Sequence, residues 1–420
     1  MPAAHPSPRE GPAAQKYLAP TGLIVLLALL SAFVPLSTDL YLPALPRMSA
    51  SFHAPADQIN LTLTAFFVVY SFGTLIWGPL CDRYGRKPVL LVGLGVYILA
   101  SLLCASAGNV FALVLFRCLQ AAGGSASGVV ATAVVKDVYS GRQRESALAV
   151  VQSMVLISPA VAPVIGAILL GVTGWRGVFL VLTGIGVVAL LGSLALTETI
   201  PARSTGPVFQ SLSRLGIVLQ NRGFSLLLIV FSVGAISSLA FIASSTFIYQ
   251  DGFHLSGRVY SYYFSLNALG MIAGPMVYLR LSRRWHSETI ILGCFGTIAA
   301  SGALVGLLGN LSPWAFALCI LPSSLAGNCC RPPAAHMMLE QQKGDTGSVS
   351  SIIGCSGMLM GSLGMQLISL PWGNTVVALG AMTFLTAAAS LLLWPLAIRH
   401  AKRLPGPETA FGEPASGIID

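Results

Sequence analysis

Of the Asp, Glu, Lys and Arg side chains in this chain of 420 residues, three sit well inside long apolar stretches: Asp39, Arg117 and Arg331. A carboxylate in such a setting takes up a proton when desolvated and gives it back when water or a nearby cation returns. Asp39 is the only one of the fourteen acids that falls inside an apolar run, the others lying in tails, in loops or at run ends. At a helical rise of 1.5 Å, Asp39 lies about 5 Å and Arg117 about 10 Å from the ends of their runs, which face the same side. Depths this similar permit pairing, with Arg117 holding the charged form of Asp39 or competing with a cationic substrate for it. Two blander readings stay open: Asp39 as a solvated helix-end cap, and Arg117 tied to backbone carbonyls or to Asn. An unpaired Arg at that depth costs about 2.5–3.5 kcal/mol, so some partner is required. Arg331 precedes Pro332 and Pro333, with Asn328 before it and His336 after it. The prolines break helical hydrogen bonds, an interruption tolerated where backbone lines a cavity. Arg331 either meets an anionic or carbonyl-bearing substrate there or extends to the near surface.

The elements that position these groups follow from composition. Only 9% of residues are charged and 55% are hydrophobic, with a mean hydropathy of +0.79. A soluble domain carries about a quarter charged residues, so a soluble globule is excluded and a polytopic membrane protein is expected. The net charge of +9 does not read as nucleic-acid binding, because the basic residues sit between apolar runs rather than on one soluble face. The eight cysteines follow no metal or disulfide spacing and read as small buried hydrophobes.

Runs of about 20 apolar residues, enough to cross a bilayer, occur twelve times: 18–42, 60–80, 88–107, 110–135, 146–170, 175–197, 223–249, 258–279, 289–308, 313–338, 348–371 and 375–397. These spans 1 to 12 predict an all-α membrane protein with a disordered tail (1–17), a six-helix bundle (18–197), a linker (198–222), a second six-helix bundle (223–398) and a final tail (399–420). The halves look duplicated. Gly78-Pro79-Leu80 recurs as Gly274-Pro275-Met276, Gly108-Asn109-Val110 as Gly309-Asn310-Leu311, and Gly174-Trp175-Arg176 pairs with Pro371-Trp372-Gly373. Such internal duplication around a midplane site is a transporter architecture. Eighteen Lys and Arg residues fall on the side of the termini and three (Arg47, Arg176, Arg258) on the other. By the positive-inside rule both termini are expected in the cytoplasm.

The loop after span 2 reads Gly78-Pro79-Leu80-Cys81-Asp82-Arg83-Tyr84-Gly85-Arg86-Lys87-Pro88. At these residues the chain resembles the major facilitator superfamily, whose signature here is Asp-Arg-x-Gly-Arg-Lys introduced by a Gly. Gly78 is expected to let helices approach closely and Gly85 to make the tight turn. The resemblance implies that Asp82, Arg83, Arg86 and Lys87 latch the inward-closed arrangement. Asp137, beside Lys136, is expected in the same salt-bridge network. The span 8 counterpart, Arg280-Leu281-Ser282-Arg283-Arg284, has no acid matching Asp82.

Span 1 ends Asp39-Leu40-Tyr41-Leu42-Pro43-Ala44-Leu45-Pro46, span 4 contains Arg117 with Gln120, and span 5 contains Ser158-Pro159-Ala160-Val161-Ala162-Pro163-Val164-Ile165-Gly166. Together these resemble the twelve-helix drug:proton antiporter branch, and the span 1 string resembles its bicyclomycin and chloramphenicol resistance subfamily. The usual span 5 pattern has Gly where this chain has Ser158 and Ala162. The resemblance implies proton-coupled efflux of small amphipathic molecules across the bacterial inner membrane by a monomer, without a cofactor. The cargo is a drug such as a phenicol or bicyclomycin, or a dedicated metabolite such as a siderophore; uptake symport is the remaining alternative. No His, nucleophile or metal-ligand cluster or phosphate-binding Gly loop suggests an enzyme or an ATP-driven pump. A mostly apolar cavity with a few polar groups would draw on Phe66, Tyr70, Gln120, Gln152, Met154, Phe241, Tyr263, Asn267, Arg331 and Gln366.

Overall fold

The computed structural model describes residues 15–200, 215–341 and 346–403. Most of the expected tails and of the linker fall outside these residues, and the last helix runs on through 399–403, the start of the expected final tail. Every regular element among them is helical. Eleven helices are long and apolar enough to cross a membrane. One of these, Gly141–Leu194, has 54 residues, or about 80 Å of helix, far more than one crossing of a roughly 30 Å hydrocarbon layer needs. It bends at Gly174, whose φ of 69° is in the range that favours glycine. Its two arms are spans 5 and 6, so the described residues make twelve crossings.

The other spans are Pro20–Asp39, Ala56–Tyr84, Arg86–Ser106, Val110–Val138, Arg222–Phe247, Gly257–Leu281, Ser287–Leu308, Pro313–Glu340, Thr346–Ile368 and Thr375–Arg403. Several begin at a polar cap that satisfies a free helical N–H. Asn109, Asn221, Ser256 and Ser312 accept from Ala112, Phe224, Val259 and Ala315. Large apolar side chains such as Val172 and Leu392 are 81% exposed, which suits a lipid surround and no other solvent.

Two sequence expectations need correction. Span 1 does not run to residue 42: the α-helix stops at Asp39, and a 3-10 turn (Leu42–Ala44) leads to a short helix (Leu45–Phe52). Pro43 has no N–H for the Asp39 carbonyl, and Pro46 none for that of Leu42, so an α-helix cannot continue there. Span 10, by contrast, is not interrupted at Pro332 and Pro333; Pro313–Glu340 is helical throughout. Packing on spans 8 and 9 supports the backbone that the prolines leave short of bonds.

The halves pack alike. Span 1 packs on 5 and 6, span 2 on 4, and span 3 on 4 and 6; correspondingly span 7 packs on 11 and 12, span 8 on 10, and span 9 on 10 and 12. Between the halves, span 2 meets span 11 and span 5 meets span 8. One apolar cluster draws on both halves, joining Leu40, Tyr41 and Phe66 to Phe241, Tyr249, Phe264 and Met365. It lies on the side away from the basic loops. Toward the basic side the remaining clusters each belong to a single half, and the two halves diverge there around a cavity.

Candidate functional site

The cavity between the halves has a volume of about 930 Å³, within the range that holds a drug-sized molecule. Asp82, Arg86, Lys136 and Asp137 line it, which marks its mouth as the basic side. Asp39 lies on its wall at the last residue of span 1. The Asp39 side chain is buried, 5% exposed, and its Oδ1 accepts a 3.0 Å hydrogen bond from Thr38 Oγ1.

Just beyond Asp39 the cavity is closed by hydrogen bonds from one half to the other. Thr246 Oγ1 donates to the Leu42 carbonyl at 3.0 Å and Gln250 Nε2 to that of Pro43 at 3.1 Å. Asn60 Nδ2 donates to Ser369 Oγ at 2.9 Å. Ser261 and Ser265 of span 8 donate to the Pro163 and Ala160 carbonyls of span 5. The proline-broken turn after span 1 thus presents acceptors to span 7. Leu42 C=O is held by the Leu45 N–H of the 3-10 turn, is denied an α-helical partner by Pro46, and takes the Thr246 hydroxyl as well.

Arg117 does not pair with Asp39. Among the described residues no ion pair joins them. Instead Arg117 Nη1 donates to the Ser37 carbonyl at 3.0 Å and to Gln120 Oε1 at 2.6 Å. Its guanidinium lies 4.2 Å from the ring centre of Phe66 and 4.8 Å from that of Tyr41. Gln120 Nε2 in turn donates to Ser101 Oγ, and Tyr97 OH meets Ser37 Oγ at 2.7 Å. Similar depth was not sufficient for pairing, because rotation about the helix axis aims Arg117 at an aromatic cage inside the first half. The carbonyl tie is what the structure holds.

The signature loop forms a compact network. Arg86 bonds Asp82 at 2.6 Å and Asp137 at 2.9 Å. Glu198 accepts from the Arg86 and Lys87 backbone N–H groups, while Lys87 Nζ reaches the Leu194 carbonyl and Arg83 lies over the Tyr84 ring. Gly85, at φ 108°, leaves no room for a side chain beside Glu198. Every member belongs to the first half, so with the basic side open the cluster bridges no gap between halves. Gly78 also departs from expectation: it lines the cavity and a Cβ there would meet nothing within 4 Å. The close approach occurs at its counterpart Gly274, packed on the Leu325 and Cys329 backbone of span 10, whereas span 2 makes its close contact with span 4 at Gly73, against Ser125.

In span 5, Pro159 lines the cavity, Ser158 and Ala162 are buried, Pro163 accepts from Ser261, and Gly166 lies directly against the Leu40 backbone. Of the side chains expected in the cavity, Tyr70, Gln152 and Arg331 line it. The others do not. Phe66 and Gln120 hold Arg117; Phe241 stacks on Phe264 and Tyr263 on Tyr249 in the closed contact. Asn267 accepts from Ser324, Gln366 Oε1 is buried, and Met154 is 40% exposed on the outer surface. Residue type had suggested them all, but helix rotation selected among them. Sequence reasoning missed Glu198, Thr246 and Gln250, although Thr246 and Gln250, one turn apart at the end of an apolar span, were a readable signal.

Twelve spans in two like-packed halves, with a cavity between them, have the architecture of a membrane transporter. The sequence profile of the Major Facilitator Superfamily matches residues 27–365, and the chain belongs to that family of secondary transporters; it is not an enzyme. An uncharacterized MFS-type transporter, YdgK, of Bacillus subtilis (strain 168) is 31% identical, over 89% of this chain and 96% of its own. A chloramphenicol resistance protein of Pseudomonas aeruginosa is 29% identical (88% and 89%), and a bicyclomycin resistance protein homolog of Haemophilus influenzae is 26% identical (81% and 88%). These names agree with the subfamily resemblance of the span 1 string. Among solved structures, a D-xylose-proton symporter shares the fold at a TM-score of 0.73 and 13% identity, covering 90% of this chain and 98% of that one.

Proposed function

We propose that the protein exports small amphipathic molecules, among them antibiotics of the chloramphenicol or bicyclomycin kind, in exchange for protons across the bacterial inner membrane. The observation that carries this reading is Asp39, an acid on the wall of a drug-sized cavity, immediately beneath the closed contact between the halves. There it is the group best placed to exchange a proton with whichever side is open. The surplus of basic residues on the cavity-mouth side supports a cytoplasmic location for that side and for both termini. The geometry is then inward-facing and ready to load cargo. Entry of cargo favours release of the Asp39 proton; closing of the basic side and parting of the Leu42–Thr246 and Pro43–Gln250 bonds turns the site outward, where Asp39 reloads. The proton gradient supplies the energy, so no cofactor takes part, and a site complete within one chain lets a monomer work. The relatives named for drug resistance support the choice of cargo.

The test is simultaneous proton and drug flux in inverted vesicles. The Asp39→Asn variant is expected to bind drug yet show no drug-driven proton movement. Proton movement equal to wild type would remove Asp39 from the role, and a wild type that moves no protons with any drug in a broad panel would remove drugs as cargo.

A further inference from the structure

Among the described residues, the second half contributes one charged side chain to the cavity wall, Arg331. Arg331 lines the cavity with Asn328 three residues earlier, on the same helix face. Around them the second-half wall carries Leu239, Ile242, Phe264, Met271 and Met358, with Ser348, Ser350 and Ser351 at the start of span 11. Of the other charges on the wall, Arg86 is committed to Asp82 and Asp137, Lys136 stands at the mouth, and Asp39 is on the first half. Arg331 has no hydrogen-bond or ion-pair partner among the described residues. A guanidinium does not lose its charge at physiological pH, so it faces the cargo as a permanent, unspent five-donor fork. Asn328 Nδ2 is turned to the Ser324 carbonyl at 2.9 Å.

We propose that Arg331, with Asn328 beside it, is a specificity-determining anion subsite, so that favoured cargo presents a carboxylate or similar acidic group to span 10 and its apolar body to spans 7, 8 and 11. This rests on the cavity being the substrate path. Guanidinium matches carboxylate in a two-point geometry that ammonium does not reproduce, and a fixed cation in a narrow apolar cavity disfavours cationic drugs by the same charge. The site therefore sorts amphipathic molecules by the sign of their polar end.

The experiment uses the full chain in nanodiscs of phosphatidylcholine, which has no net charge, with N-benzoyl-phenylalanine and its carboxamide as probes. These differ only in the anionic group. Equilibrium binding, corrected for empty discs, is expected to favour the acid by about ten-fold or more, the ratio that a charge-assisted hydrogen bond gives. In Arg331→Gln the acid is expected to fall to the affinity of the amide while the amide is unchanged; Arg331→Lys is expected to keep part of the preference. Equal binding of the two probes to wild type, no binding of the acid, or equal loss of both in Arg331→Gln would overturn the subsite. Acid preference in binding without any proton-driven movement of the acid in vesicles would instead overturn the exporter reading and leave the subsite standing.

Discussion

Among the described residues Arg117 is the largest of the wholly buried side chains, and its Nε and Nη2 have no hydrogen-bond partner there. Its stabilisation comes from the Ser37 carbonyl, the Gln120 amide and the faces of Phe66 and Tyr41, each desolvated cation–π contact contributing up to about 2 kcal/mol. Ammonium is a compact point charge and cannot reach two divergent acceptors while lying flat against two rings. Arg117→Lys should therefore lower stability by about 1–3 kcal/mol, the cost of leaving a buried acceptor unsatisfied, read as a reduced melting temperature of the purified protein in detergent. An unchanged melting temperature would mean that the planar fork is not what holds spans 1 and 4 together. Asp39 differs in kind: its one hydrogen bond, from Thr38, leaves it open to the cavity, and so Asp39→Asn is expected to change flux with little change in melting temperature.

At the scale of elements, proline and glycine decide how the spans meet. Pro43 and Pro46 end span 1 at Asp39 and expose the carbonyls that span 7 reaches, so the same break sets the acid at a helix end and builds the closed contact. Gly166 lets span 5 lie against the backbone of Leu40, immediately after that acid. A methyl group at residue 166 would strike main chain, which cannot rotate aside. Gly166→Ala should cost about 1–3 kcal/mol, the range for overpacking, and displace the Asp39 end of span 1. Gly171→Ala, one turn and a half further on, meets nothing within 4 Å and should be neutral or slightly stabilising. Thermal unfolding of both variants by size-exclusion chromatography compares them directly, and equal melting temperatures would contradict the close packing at Gly166.

For the whole molecule, the arrangement rests on a small number of polar bonds across the halves and one shared apolar cluster. A neutral hydrogen bond is worth about 1 kcal/mol, or roughly a five-fold change in a two-state ratio. Paired Thr246→Val and Gln250→Leu substitutions, which remove two such bonds, should thus shift the two-state ratio toward the opposite opening by roughly 25-fold, seen as faster thiol labelling of Ser369→Cys from outside. No change in labelling would show that the apolar cluster alone holds the contact. Conversely, Asn60→Cys with Ser369→Cys, placed where a 2.9 Å side-chain bond now joins spans 2 and 11, should cross-link under oxidation, stop transport, and recover on reduction. Transport by the cross-linked protein would contradict alternation between two openings.

Hydropathy, the repeated Gly-Pro and Gly-Asn landmarks, the charge asymmetry and the Asp82–Lys87 loop were legible in the sequence because each is a local property of residue type and order. They determined the class of protein, the twelve crossings and the identity of Asp39 as the one acid inside a run. Depth along a helix could be counted, but the rotation of one helix against another could not, and rotation sent Arg117 to an aromatic cage and Met154 to the outer surface. Nor could the closed contact be read. Thr246 and Gln250 bond to carbonyls 204 and 207 residues away, and a carbonyl acceptor leaves no mark on residue type because every residue has one. Which acceptors are free depends on prolines that break one helix and on the packing that brings another alongside. Tertiary structure alone therefore decided which side of the cavity is closed and left Arg331 facing into it without a partner among the described residues.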